Sequence, residues 1–96
     1  MSRVVAEAAE MLAARLDGGG FDGSAKLVFD GEGALMLDAN GVRIADEDAD
    51  VTLTASPAVF KALFDGELAP AGAFMSGKLA VEGDMGLAMK LGALLG

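Results

Sequence analysis

The sequence predicts an α+β fold in which a five-stranded sheet is covered by helices on one face. Three observations lead to this prediction. Apolar residues alternate with polar ones in several short segments, as expected for half-buried strands. They recur at helical spacing near both ends of the chain, and glycine-rich or acidic turns separate the segments. Together these features favour a sheet that is wet on one side and packed against helices on the other.

The first predicted helix runs from a cap at Ser2 to about Leu16. It ends in Asp17-Gly18-Gly19-Gly20, a stretch that favours chain reversal over helix. Its apolar face is spaced at helical intervals: Val5, Ala8, Leu12 and Leu16.

The next segments predict four strands, starting near Ala25. Asp30-Gly31 predicts a short hairpin loop, and Asn40-Gly41 predicts a type I′ turn, in which both central residues need positive φ. The fourth strand follows the acidic loop 46–50. The inward face is predicted to carry Leu27, Phe29, Leu35, Leu37, Val42, Ile44, Val51 and Leu53. The outward face is predicted to carry Lys26, Asp38, Arg43, Thr52 and Thr54.

The second half of the chain returns to helices. Ser56-Pro57 predicts a capped helix start, and Gly66 a stop. Pro70 predicts a short helical turn towards Gly77, followed by a fifth strand over Lys78–Glu82. Asp84 is predicted to cap a closing helix from Met85 to Leu95.

Composition narrows the functional classes. The 96 residues suit one domain over 1–96, and 15 acidic against 7 basic residues give a net charge of −8, which disfavours nucleic acid as a partner. The sequence has no His and no Cys, so we expect no metal site, no cofactor and no catalysis. The charged N-terminal segment does not resemble a signal peptide. We therefore expect a cytoplasmic protein.

Two motifs resemble ligand-binding loops, but a purely structural role explains each of them better. The acidic run 46–50 would need Gly at position 51 and Glu at position 57 to form an EF-hand, but Val51 and Pro57 stand there. Gly83-Asp84-Met85-Gly86 lacks the remaining residues of a phosphate-binding loop, and Asp84 would repel a phosphate. We interpret the first as a solvated turn and the second as a helix cap.

The closing helix carries more apolar surface than one packing stripe requires, because Lys90 is its only charged residue. This surplus could meet a partner chain, fill a core from two sides, or line a cavity for an apolar molecule.

Residues 73–91, AFMSGKLAVEGDMGLAMKL, favour the cavity. This segment resembles the signature of the sterol carrier protein family of the second, non-specific lipid-transfer type, and the chain looks like a bacterial single-domain member. The resemblance implies strand order 3-2-1-4-5 and an apolar tunnel between sheet and helices. It helps to nominate a lipid-binding set, to which Leu12 is added from its spacing alone. The full set is Leu12, Phe60, Phe64, Phe74, Met75, Met85, Met89, Leu91 and Leu95.

The resemblance predicts non-enzymatic binding or transfer of a lipid such as a fatty acid or phospholipid. Two alternatives stay open: an accessory protein that holds prenylated quinone intermediates for biosynthetic enzymes, and a dimerising structural module without ligand. Transient membrane contact and a homodimer are also left open.

Overall fold

The structure, a computed structural model, describes residues 3–17 and 19–95 and contains four helices and five strands in that part of the chain. Ser2, the predicted first cap, and Gly18 lie outside the described residues. The elements are α1 (Arg3–Leu16), β1 (Ala25–Phe29), β2 (Gly33–Asp38), β3 (Gly41–Arg43), β4 (Val51–Ala55), α2 (Pro57–Phe64), α3 (Pro70–Met75), β5 (Ala80–Gly83) and α4 (Met85–Leu95).

The strands form one mixed sheet in the order β3-β2-β1-β4-β5, which confirms the predicted fold class and strand order. β1, β2 and β3 form two consecutive antiparallel hairpins, and β5 pairs antiparallel with β4. The β1–β4 pair is parallel, with Leu27 opposite Leu53. The connection from β3 to β4 therefore has to cross the sheet, and β3 and β5 form its two edges.

The second hairpin is present, but its predicted turn type is wrong. Asp38 pairs with Gly41, so the two loop residues are Ala39 and Asn40. Gly41 has φ +110°, whereas Asn40 is not among the described residues with positive φ, and a type I′ turn requires both. The Asn40 N–H instead donates to the Asp38 carboxylate at 2.9 Å, a local side-chain bond that stabilises the turn without a left-handed asparagine.

All the helices lie on the inner face of the sheet, where the main core forms. α1 packs over β2 and β3, and α4 over β4 and β5. The core centre contains Phe29 and Phe60, whose ring centroids are 4.3 Å apart. The prediction that Ile44 faces this core is wrong, because β3 ends at Arg43 and leaves the Ile44 side chain 51% exposed.

The outer face of the sheet is less exposed to solvent than predicted. Met36, which alternates with the inward Leu35 and Leu37, is only 1% exposed. Its cross-strand neighbours Lys26 and Arg43 form ion pairs with Asp46 and Glu47, respectively. These ion pairs tie the side chains on either side of Met36 to the acidic loop that follows β3.

The predicted caps of α2 and α4 are confirmed. The Val59 N–H donates to Ser56 Oγ at 3.2 Å, and the Leu87 N–H donates to Asp84 Oδ1 at 3.0 Å. Each bond satisfies a free amide in the first turn of its helix. No helix within residues 3–17 and 19–95 is long and apolar enough to cross a membrane.

Candidate functional site: an apolar groove

An apolar groove of about 460 Å³ lies between α3, α4 and the β4–β5 edge of the sheet. This volume lies within the range of roughly 300–1,000 Å³ that is typical of small-molecule sites. Leu53, Leu79 and Val81 contribute from the sheet side, Pro70, Ala71 and Phe74 from α3, and Met85, Ala88, Met89, Gly92 and Ala93 from α4.

The strand-to-helix junction at Gly83 sets the position of the α4 wall. Gly83 has φ +102°, and a Cβ at this position would overlap the Asp50 carbonyl oxygen. The chain can therefore turn sharply from β5 into α4, where Asp84 caps the first turn. After this turn, α4 packs back across β4 and β5.

The wall residues of α4 follow a helical repeat. Met85, Ala88, Met89, Gly92 and Ala93 have the spacing i, i+3, i+4, i+7, i+8 that defines one helix face. Gly92 faces α3 directly, because a Cβ there would lie 3.5 Å from Pro70 Cβ. The two helices therefore approach each other closely at Gly92, and the small residues of this face line the groove together with Met85 and Met89.

Large apolar side chains surround the groove opening while remaining in contact with water. Phe74 is 47% exposed, Met85 54% and Met89 77%. Exposed apolar groups of this size mark a binding surface when they cluster. Methionine also adapts its shape to an apolar partner, because its unbranched thioether chain is flexible.

None of the eleven described residues that line the groove carries a charged or hydrogen-bonding side chain. The groups whose pKa values are shifted lie elsewhere. A hydrogen bond from Arg43, and then the Asn40 N–H, lower the pKa of Asp38 at the opposite half of the sheet. The groove can therefore hold an aliphatic chain, and the only heteroatoms in its described lining side chains are the thioether sulfurs of Met85 and Met89.

A second groove, of about 390 Å³, lies between α1 and α2. Its apolar walls include Met11, Phe29 and Phe64, while Glu7, Lys61 and Asp65 give it a charged rim. Lys61 Nζ and Asp65 Oδ2 are 2.8 Å apart, so this rim is partly neutralised within the protein. A hydrogen bond to Asp65 also raises the pKa of Lys61.

The predicted lipid-binding set is divided by the structure. Phe74, Met85 and Met89 line the first groove, and Phe64 lines the second. Met75 is 86% exposed beside Phe74 and lines neither groove. The remaining four side chains are fully buried in the core rather than on a groove wall: Leu12, Phe60, Leu91 and Leu95.

Sequence reasoning missed most of the groove. Leu53 belongs to the predicted inward face, and Leu79 and Val81 to the predicted fifth strand, but the sequence does not place them beside α4. Ala88, Gly92 and Ala93 follow the helical spacing of Met85 and Met89, but small side chains are not a sequence signal for a ligand. Pro70 and Ala71 carry no pattern that predicts a ligand.

The fold and groove define a small α+β domain with an apolar groove between its helices and one edge of the sheet. The sequence matches the SCP-2 sterol transfer family over residues 6–96, and the chain belongs to this family. It is 50% identical over 48 residues to hydroxysteroid dehydrogenase-like protein 2 of Xenopus tropicalis. That match covers 50% of this chain but only 12% of the relative, a much longer protein.

Solved structures support the same assignment. The sterol carrier protein domain 2 of Helicoverpa armigera is 30% identical with a TM-score of 0.77, and the match covers 96% of this chain and 85% of that one. Sterol carrier protein 2 of Aedes aegypti, solved in complex with the C16 fatty acid palmitate, shares the fold at 22% identity. Its TM-score is 0.79, with 99% and 96% of the two chains covered.

A ubiquinone synthesis protein, UbiJ-SCP2, is also similar. It is 26% identical with a TM-score of 0.57, and the match covers 92% of this chain and 77% of that one.

Proposed function

We propose that this protein binds the aliphatic chain of a fatty acid or similar lipid in the first groove and carries it without chemical change. The observation that carries this proposal is the groove between α3 and α4, whose eleven described lining residues are all apolar. The palmitate complex of the Aedes aegypti relative supports a fatty acid as the first ligand class to test.

The expected driving force is burial of methylene groups. Each buried methylene contributes about 0.8 kcal/mol, so ten of them contribute roughly 8 kcal/mol before the costs of association. A carboxylate finds no partner on the groove walls, and burying it there would be costly. The head group therefore stays at the opening, in water, while the chain enters first.

When the aliphatic chain of the lipid binds, the groove lengthens towards a tunnel. Met85 and Met89 fold over the ligand and shield it from water. Leu91 lies three residues after Ala88 on α4, so a chain that passes Ala88 approaches Leu91 and then the core around Phe60. In this proposal the buried members of the predicted set contact only the far end of a long ligand.

A second candidate is an accessory role in quinone synthesis, which the similarity to UbiJ-SCP2 favours. A prenylated intermediate also has a long apolar tail and a polar head, so the same groove would hold the tail. Native mass spectrometry of the protein purified from its source cells distinguishes the two, because a prenylquinone adduct and a fatty acid adduct differ in mass.

The direct test is titration with palmitate, using two matched variants in each of which one alanine is replaced by phenylalanine. Ala93 and Ala58 are both exposed on helices, and they line the first and second groove, respectively. We expect Ala93→Phe to fill the first groove and weaken palmitate binding at least tenfold. Ala58→Phe should leave the affinity unchanged.

Isothermal titration calorimetry gives the affinities, and thermal unfolding checks that both variants fold. The reverse pattern, with Ala58→Phe alone weakening binding, would move the site to the second groove. No saturable binding of palmitate by the unaltered protein would refute the fatty acid proposal.

A further inference from the structure

Four exposed apolar side chains of α3 and α4 are here called the rim patch: Phe74, Met75, Met85 and Met89. Three of them line the groove itself. Met75 extends the patch along α3, because it lies four residues after the groove residue Ala71 and therefore on the same face of the helix. At 86% exposure, Met75 is the most exposed of the four.

Charge is distributed unevenly between this region and the remainder of the chain. Residues 68–95 contain two acidic side chains, Glu82 and Asp84, and two basic ones, Lys78 and Lys90. The remaining residues contain 13 acidic and 5 basic side chains and therefore carry the whole formal charge of −8. The chain segment that carries the rim patch is therefore formally neutral, while the remaining residues carry the acidic charge.

The size of the rim patch argues against a stable dimer interface. The rim patch has four side chains, whereas each side of a standard stable interface contributes roughly 20–30 residues. A stable interface of standard size buries about 800 Å² on each partner. A flexible apolar surface of this size is better suited to the interfacial layer of a bilayer, which needs no shape complementarity.

We propose that the rim patch docks on the surface of a neutral lipid bilayer, so that the groove opens directly towards the membrane from which its ligand comes. This inference rests on the proposed function, because docking at the opening is useful only if the groove takes up a lipid. The acidic remainder of the protein is repelled by anionic lipid head groups, which favours neutral membranes and turns the rim patch towards the bilayer.

Fluorescence tests the contact directly, because the chain has no Trp and no Tyr and a single introduced Trp reports on one place. In Met75→Trp the reporter lies on the rim patch. In Ile44→Trp it lies at a 51% exposed apolar position after β3, outside the patch. With phosphatidylcholine vesicles, we expect a blue shift of emission in Met75→Trp and quenching by lipids brominated in their acyl chains. Ile44→Trp should show neither.

The acidic charge of the protein predicts that docking on anionic vesicles becomes stronger when salt is added. Replacing part of the phosphatidylcholine with phosphatidylglycerol should weaken docking at low salt, and added salt should restore it by screening the repulsion. The opposite order, with tighter docking to phosphatidylglycerol that salt abolishes, would show that a basic surface docks instead and would overturn the proposal.

A second pair of variants separates docking from ligand binding. Met75 lines neither groove, so Met75→Glu should leave the affinity for palmitate in vesicle-free solution unchanged. We expect it to slow transfer of a fluorescent fatty acid from phosphatidylcholine vesicles at least fivefold. Ile44→Glu, which adds the same charge outside the patch, should transfer at the unaltered rate.

The outcomes distinguish this inference from the proposed function. Unchanged transfer by Met75→Glu, together with intact palmitate binding, would overturn the docking surface and leave the groove site standing. A dimer that Met75→Glu dissociates in sedimentation would show that the rim patch binds a second copy, which also overturns the proposal. Loss of palmitate binding in the unaltered protein would refute the groove site itself.

Discussion

Arg15 Nη1 donates a hydrogen bond to the main-chain carbonyl of Leu94 at 3.0 Å and thereby joins the end of α1 to the end of α4. The same nitrogen also donates to the Leu95 carbonyl, and Nη2 donates to the Phe64 carbonyl at 2.6 Å. One guanidinium thus satisfies acceptors in the last turns of α2 and α4, where the helix dipoles favour positive charge. Arg15 thereby holds α4, which forms one wall of the groove, against the remainder of the protein.

Replacing Arg15 with Met should lower the free energy of unfolding by about 1–3 kcal/mol, because hydrogen bonds from a charged donor are lost while the aliphatic stem is largely kept. Urea unfolding followed by circular dichroism measures the change. Arg3→Met, at the start of the same helix, is the control and should change the stability by less than about 0.5 kcal/mol. Equal effects of the two substitutions would contradict the capping role.

Two glycines that precede α4 should differ in how much their replacement by alanine lowers the free energy of unfolding. Gly77 and Gly83 both have positive φ, at +79° and +102°, but a Cβ at Gly77 would meet open space. Gly77→Ala should therefore show only the conformational cost of about 1–2 kcal/mol. Gly83→Ala should lose clearly more stability, because its Cβ also overlaps the Asp50 carbonyl oxygen. Similar losses in urea unfolding would show that the junction relaxes around the new methyl group.

The elements that sequence predicted well are those with a local chemical signal. Asp84 and the apolar repeat after it located α4 from Met85 to Leu95, which are the bounds in the structure. The type I′ turn at Asn40-Gly41 was wrong because a bond from the Asn40 N–H to Asp38 supports another turn. Met36 could not be predicted as buried, since it alternates with the inward Leu35 and Leu37 and so lies on the face predicted to be wet.

The same distinction applies to the candidate site. Met85 and Met89 were recognisable from their spacing on one helix and from the resemblance that their segment carries. Leu91 and Leu95 lie on the same helix and are just as apolar, but they face the core and are fully buried. Sequence alone did not separate the two faces, because α4 has only one charged residue to mark its wet side. The tertiary position of α3 decides which face lines the groove.

The Asp38–Arg43 pair predicts a small acid dependence of stability. The pKa of Asp38 is held below its usual value of 3.8 in the folded protein, first by the hydrogen bond from Arg43 and then by the Asn40 N–H. A lowered folded-state pKa stabilises the protein above pH 3.8 and loses this effect as the pH falls through the folded value. Asp38→Asn should therefore be less stable than the unaltered protein at pH 7. The difference in Tm should shrink below pH 3, and a constant difference from pH 7 to pH 2.5 would contradict the pairing.

The methionines give a footprint of the groove, because they differ widely in exposure. Peroxide should oxidise Met75, Met85 and Met89 to sulfoxides quickly, while the 1% exposed Met36 should react slowly. Peptide mapping by mass spectrometry measures the rate at each position. Bound palmitate should slow oxidation of Met85 and Met89 severalfold and leave Met75 unchanged, because only the first two line the groove.

Met36 and Met75 serve as internal controls in this experiment. Met36 reports any general loosening of the protein, and Met75 reports ligand-independent changes in peroxide reactivity. Phosphatidylcholine vesicles without free fatty acid should instead protect Met75, because docking would cover the rim patch. Palmitate protection that is equal at Met75, Met85 and Met89 would place the ligand on the outer surface of α3. No protection of Met85 or Met89 at saturating palmitate would exclude the first groove as the binding site.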